Sequence, residues 1–123
     1  MNKIHTEKAP AAVGPYSQAV TAGGLVYTSG QIALDPATGA MAGETFEEQA
    51  EQVMKNLTAV LEAAGSSPAK AVKTLCFLTD MGDFAAFNAV YARYFTEKPA
   101  RSCVEVAALP KQELIEIEAV AVR

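Results

Sequence analysis

Arg101 and the alternating pair Glu116 and Glu118 are the residues of this sequence whose types and spacing best suit chemistry. Arg101 opens the apolar run Arg101-Ser102-Cys103-Val104-Glu105-Val106, directly after Pro99-Ala100. There a guanidinium can present its planar fork to a carboxylate through two parallel charge-assisted hydrogen bonds. Its plainer role is an ordinary ion pair with Glu105 or Glu118. Glu116 and Glu118 alternate with Ile115, Ile117 and Ala119, which aims both carboxylates to one side of a strand. If that side is solvated, they are simply its polar face. Leu114, Val120 and Val122 share the side, however. A carboxylate among apolar neighbours loses hydration and its pKa rises, which suits proton delivery near neutrality. Alternation treats the two glutamates alike.

Four weaker candidates stand beside them. Ser29, in Thr28-Ser29-Gly30-Gln31, has neither the preceding glycine nor the histidine base of a nucleophile elbow, which leaves a hydrogen-bond donor or strand-end residue. Gly30 would allow close backbone approach by a ligand or a packed neighbour. Tyr16 offers a hydroxyl. Cys103 shares a side with Arg101, but without a positioned base a packed thiol is expected rather than a nucleophile.

The rare residues exclude whole mechanisms. The single histidine, His5, cannot build a His-based triad or a paired-histidine metal site. Cys76 and Cys103 have no CxxC spacing and read as apolar fillers. No metal or cofactor is expected. What remains is a small anionic ligand held by arginine, with a carboxylic acid and hydroxyls nearby.

A length of 123 residues, half of them apolar, fits one domain over 1–123. A net charge of −4 argues against nucleic acid as a partner, because phosphate neutralisation needs clustered cations. No apolar run reaches the ~18 residues of a membrane span. The first residues lack the apolar stretch of a signal peptide, so a soluble, cytoplasmic protein is expected.

The elements that must position these residues follow from periodicity and punctuation. A strand after Gly14-Pro15-Tyr16-Ser17-Gln18 turns at Gly23-Gly24, a two-residue hairpin signal, into a return strand over Leu25–Ile32. Thr45-Phe46-Glu47-Glu48 fits a capping box. Behind it, Phe46, Ala50, Val53, Leu57, Val60, Leu61 and Ala64 make an amphipathic face that Gly65 ends. A strand over Ala71–Thr79 precedes a second helix, capped by Asp80 or Asp83. Its stripe of Phe84, Phe87, Tyr91, Tyr94 and Phe95 reads as core. Strands over Arg101–Val106 and Leu114–Val122 close the chain.

The order β-β-α-β-α-β-β predicts an α+β fold with two helices packed on one face of one sheet. The other face stays uncovered although three strands are apolar. Self-association through it, in a closed symmetric ring, is the simplest remedy.

Several motifs resemble the RidA/YjgF family, also called the endoribonuclease L-PSP family, along nearly the whole chain. They are Ala11-Ala12-Val13-Gly14-Pro15-Tyr16-Ser17-Gln18-Ala19, Tyr27-Thr28-Ser29-Gly30-Gln31, and Asp83-Phe84 through Asn88, Tyr91 and Phe95. Most specific are Pro99-Ala100-Arg101-Ser102-Cys103-Val104-Glu105-Val106-Ala107, Leu109-Pro110 and Ile115-Glu116-Ile117-Glu118-Ala119. The resemblance implies a chorismate-mutase-like homotrimer with clefts between subunits. It also implies hydrolysis of enamines and imines such as 2-aminoacrylate, 2-iminopropanoate and 2-iminobutanoate to 2-keto acids and ammonia. In that light Arg101 clamps the substrate carboxylate and Glu116 polarises water and manages protons. Tyr16, Ser29, Asn88 and the backbones of Gly30 and Cys103 line or support the pocket.

Two segments depart from the family pattern. Thr96–Ala100 is shorter than in many relatives, and Lys111-Gln112-Glu113 replaces a turn that is often Gly-Ala containing. The alternative functions are a non-catalytic trimeric module for small carboxylates or protein partners, and an endoribonuclease or translation inhibitor. The acidic balance disfavours the last.

Overall fold

Six strands and two helices form in the computed structural model, which describes residues 1–123. The strands are β1 (Asn2–Ile4), β2 (Ala19–Ala22), β3 (Leu25–Thr28), β4 (Ala71–Leu78), β5 (Ala100–Glu105) and β6 (Ile115–Val122). The helices are α1 (Phe46–Ala63) and α2 (Phe84–Tyr94). One mixed sheet has the order β1-β2-β3-β6-β4-β5. β4 and β5 are parallel and every other pair is antiparallel. The last strand in the chain therefore lies inside the sheet, in the slot between β3 and β4.

Local chemistry accounts for the expected boundaries. Gly23 and Gly24 both take positive φ, 58° and 78°, as a tight hairpin of this hand requires. Thr45 and Glu48 complete the capping box, with the Glu48 amide donating to Thr45 Oγ1 at 3.2 Å. Gly65 ends α1 at φ 82°. All seven residues of the predicted α1 face are buried. Asp80 caps the short turn Met81–Asp83 that leads into α2, through its Oδ1 and the Gly82 amide, whereas Asp83 makes no side-chain cap.

Two expectations need correction. β1 is an additional strand, so the order is β-β-β-α-β-α-β-β; its three residues carry no local signal and are held only by pairing with Ala19–Thr21. The predicted strand over Leu25–Ile32 stops at Thr28. Tyr27 pairs with Val120, yet Gln31 bridges Ile117, so four steps along the first strand meet three along β6. The extra residue is a bulge at Ser29-Gly30. Thr28 Oγ1 covers the gap by accepting from the Ala119 amide at 3.0 Å.

Both helices pack on one face, over Ile115, Ile117, Ala119 and Ala121 of β6 and Thr74, Cys76 and Leu78 of β4. The alternate residues form the open face. There Tyr27 opposes Val120, Leu75 opposes Glu118, and Phe77 lies between Glu116 and Val104. Val104 and Tyr27 are exposed, at 42% and 43%.

The turn before β6 carries an unexpected group. Lys111 and Gln112 both adopt φ 58°, a left-handed backbone that glycine would take without strain. The next residue, Glu113, is fully buried, with neither carboxylate oxygen hydrogen-bonded. Burial pushes its pKa up. A raised folded-state pKa gives stability that is whole below the ordinary carboxylate value and lost as pH rises through the folded-state value. Glu113→Gln keeps the shape of the neutral acid. It should match the parent at acid pH and be the more stable of the two once the pH has risen through the folded-state value, as read by urea denaturation.

Candidate functional site

Arg101 and Glu116 lie on opposite faces of the sheet, so one chain holds two separate half-sites. Arg101 pairs with Thr74 on the edge strand β5 and turns toward α2. Phe84, Phe87 and Tyr91 recur along one face of that helix, and the guanidinium carbon lies 5.5, 5.3 and 4.9 Å from their ring centroids. Tyr91 is fixed in turn by a 2.7 Å hydrogen bond with Thr74. The aromatic stripe is thus core at Phe87, Tyr91 and Phe95, and also the floor beneath a cation.

The only side-chain bond of Arg101 runs from Nη1 to Asn88 Oδ1, at 2.8 Å. The ion pair with Glu105 or Glu118 does not form. Glu105 accepts from the Met81 amide at 2.7 Å, and Glu118 belongs to the other face. The one salt bridge of the chain joins Arg93 to Glu51. A guanidinium held by ring faces and one neutral amide keeps its full charge and most of its donors for an incoming anion. Beside it opens a cleft of about 410 Å³, lined by Asn88, Tyr91, Phe95, Lys98 and Arg101 among others.

Cys103 lies two residues along the same face and is half-buried. Burial pushes its thiol up, against the opposing pull of Arg101. Cys76, fully buried, is pushed up to about 12. Both therefore remain thiols at neutral pH, as a packing role requires.

Glu116 belongs to a second cleft, of about 390 Å³, with Tyr16, Ser29, Gly30, Gln31 and Lys111. The bulge brings Gly30 directly under the carboxylate. A methyl group at Gly30 would lie 2.7 Å from Glu116 Cδ and 2.9 Å from Cγ, closer than any packing allows. Burial, and secondarily the charge of Glu118, pushes the Glu116 pKa up. Of the two glutamates that alternation could not separate, Glu116 is the one that faces a cleft with hydroxyl groups.

Tyr16 is 53% exposed at the mouth of this cleft. The Ser29 hydroxyl donates to the Ser17 carbonyl at 2.6 Å, so its proton is used within the fold. Asn88 and Cys103 belong with Arg101, while Tyr16, Ser29 and Gly30 belong with Glu116. Sequence reasoning missed Thr74, Gln31 and Lys111, whose places depend on long-range register and on the turn before β6.

A third groove, about 790 Å³ between α1 and α2, contains none of these residues. It is an open furrow whose walls are tied by Glu51, Arg93 and Tyr94. No three His, Cys, Asp or Glu side chains come together as a metal site. No helix is long and apolar enough to cross a membrane.

Comparison with known proteins shows the family of the chain. The chain is 58% identical to a RutC family protein of Synechocystis, over 99% of this chain and 96% of that protein. It is 56% identical to the 2-iminobutanoate/2-iminopropanoate deaminase of Salmonella typhimurium, over 98% and 96%. The crystal structure of a putative endoribonuclease from Thermotoga maritima superposes with a TM-score of 0.97 at 50% identity, covering 100% of this chain and 98% of that one. The family profile described as Endoribonuclease L-PSP matches residues 6–123, and the chain belongs to that family, the RidA/YjgF family.

Proposed function

We propose that the protein hydrolyses 2-imino acids, formed from 2-aminoacrylate and its homologues, to 2-keto acids and ammonia. The reaction would take place in clefts between three copies of the chain. One observation carries this reading: an arginine with no carboxylate partner and a glutamate of raised pKa lie on opposite faces of one sheet. A single small substrate can meet both only where two chains join their half-sites. The apolar open face supplies a surface for that joining. The deaminase name of a relative 56% identical supports the same chemistry.

In this reading Arg101 takes the substrate carboxylate in a two-pronged bond, with Asn88 holding one guanidinium nitrogen in place. Orientation makes attack by water on the iminium carbon effectively unimolecular. Ionised Glu116 accepts a proton from that water as the C–O bond forms. It then returns the proton to the nitrogen and takes the proton of the new hydroxyl as the C–N bond breaks, which leaves a 2-keto acid and ammonia and passes the remaining proton to solvent. The protonated imine is already electrophilic, so the step needs no covalent nucleophile.

The test generates 2-aminoacrylate with a serine dehydratase and follows the appearance of pyruvate. Addition of the protein should shorten the lag, and an unchanged lag would overturn the proposal. The rate should fall as pH drops through a value above the ordinary carboxylate range, because the ionised form of Glu116 acts on water.

Gly30→Ala gives a sharper check. No positive φ forces glycine at this position, so the backbone accepts alanine, but the new methyl displaces the Glu116 carboxylate. kcat/KM should drop by about a hundredfold with little change in Tm.

A further inference from the structure

Gln18 is buried to 2% exposure, and its amide is turned back on the chain that precedes it. Its Oε1 accepts from the Thr6 amide at 2.7 Å. Its Nε2 donates to the carbonyls of Thr6, Ala9 and Pro10 at 3.0, 3.3 and 2.8 Å. One side chain thus fixes the path of residues 6–10. The far end of the same segment is fixed where the Ser29 hydroxyl donates to Ser17 O, and the Ser29 amide to Gln18 O at 2.9 Å.

Between those two anchors the chain has almost nothing else to hold it. From Ala11 to Tyr16 the one hydrogen bond is internal, from the Tyr16 amide to the Gly14 carbonyl at 2.8 Å. Val13 is 84% exposed. Yet Pro10, Ala11, Val13 and Tyr16 form one wall of the cleft that contains Glu116. A wall with so few contacts of its own takes its position from its ends.

We infer that Gln18 is a positioning residue, whose side chain sets where the Ala11–Tyr16 wall, and Tyr16 with it, stands over the Glu116 cleft. Gln18 itself reaches the lining of that cleft, but both its amide atoms are engaged by Thr6, Ala9 and Pro10, so it acts through the segment it clamps. Only an amide does this well, because the site needs one acceptor and, on the same planar group, an NH2 whose two protons are shared among three carbonyls. Leucine supplies neither. Glutamate keeps the acceptor and sets a carboxylate against three carbonyl oxygens. The consequence for catalysis rests on the deaminase reading above, in which the wall helps to bind substrate.

Hydrogen exchange on the full chain tests the clamp. In the parent protein the Thr6 amide should be protected while the amides of residues 11–14 exchange freely. In Gln18→Leu and Gln18→Glu, exchange at Thr6 should rise by about tenfold or more while α1 and β6 stay protected. Unchanged exchange at Thr6, or an unprotected Thr6 in the parent, overturns the inference.

Steady-state kinetics with 2-aminoacrylate tests its use. KM should rise by about fivefold with kcat within about twofold of the parent. A variant whose kcat falls with its folded fraction at constant KM has lost only stability, which also overturns the positioning role. If the parent itself fails to speed pyruvate release, the deaminase proposal fails, and the exchange measurement decides the clamp by itself.

Discussion

Arg101→Ala should lower kcat/KM for imine hydrolysis by about a thousandfold, the loss of two charge-assisted hydrogen bonds to a carboxylate. The fold should persist, because the guanidinium makes one side-chain bond and otherwise covers the faces of Phe84, Phe87 and Tyr91. The same variant tests the assembly. Glu116→Gln is expected to be inactive in its own right. Unfolding the two variants together and refolding them as a mixture should restore about a quarter of parental activity, because random pairing gives that share of clefts an intact Arg101 and an intact Glu116. Sites contained within one chain would give no restoration. Activity of the refolded mixture, read beside each variant alone, separates the outcomes.

Val104→Asp should have an effect as large by a different route. Val104 lies on the open face of the edge strand β5, beside Phe77 and 42% exposed, so its carboxylate costs the isolated chain little. In an assembly that buries this face it becomes an unpaired buried charge, a loss of about 3–5 kcal/mol at each interface. Light scattering should show the mass falling from that of the proposed three-chain assembly to the 12.9 kDa of one chain. Circular dichroism should stay unchanged while deaminase activity disappears. An active variant at full assembled mass would place the subunit contact elsewhere.

Much of the fold was legible because its signals are local. Gly23-Gly24, the Thr45–Glu48 box, Gly65 and the seven buried positions of α1 each act over a few residues, and each took its expected role. β1 was not legible, since Asn2-Lys3-Ile4 becomes a strand only by pairing with Ala19–Thr21. The bulge at Ser29-Gly30 escaped for a related reason. Nothing in Thr28-Ser29-Gly30-Gln31 tells how a strand ninety residues away is registered against it, and a one-residue slip decides whether Gly30 meets Glu116.

The candidate residues were legible by type, but their grouping was not. The spacing of Arg101 and Glu116 carries no mark that they fall on opposite faces. The freedom of Arg101 from an ion pair depends on Glu105 being engaged by the Met81 amide. Gln18 shows no role in the run Gly14-Pro15-Tyr16-Ser17-Gln18, because its partners, Thr6 to Pro10, form no regular element.

The place of β6 bears on how the molecule comes into being. A nascent chain that has emerged only to Gln112 possesses β1, β2 and β3 as one ribbon and β4 and β5 as another, with no strand to join them. Each ribbon then exposes an unpaired edge, the kind of surface that invites pairing with a neighbouring polypeptide. Until Ile115–Val122 slides between them, the helices lack a continuous surface on which to pack. Folding should therefore wait for synthesis of the final strand, and premature termination anywhere before it should yield aggregates rather than a smaller stable protein.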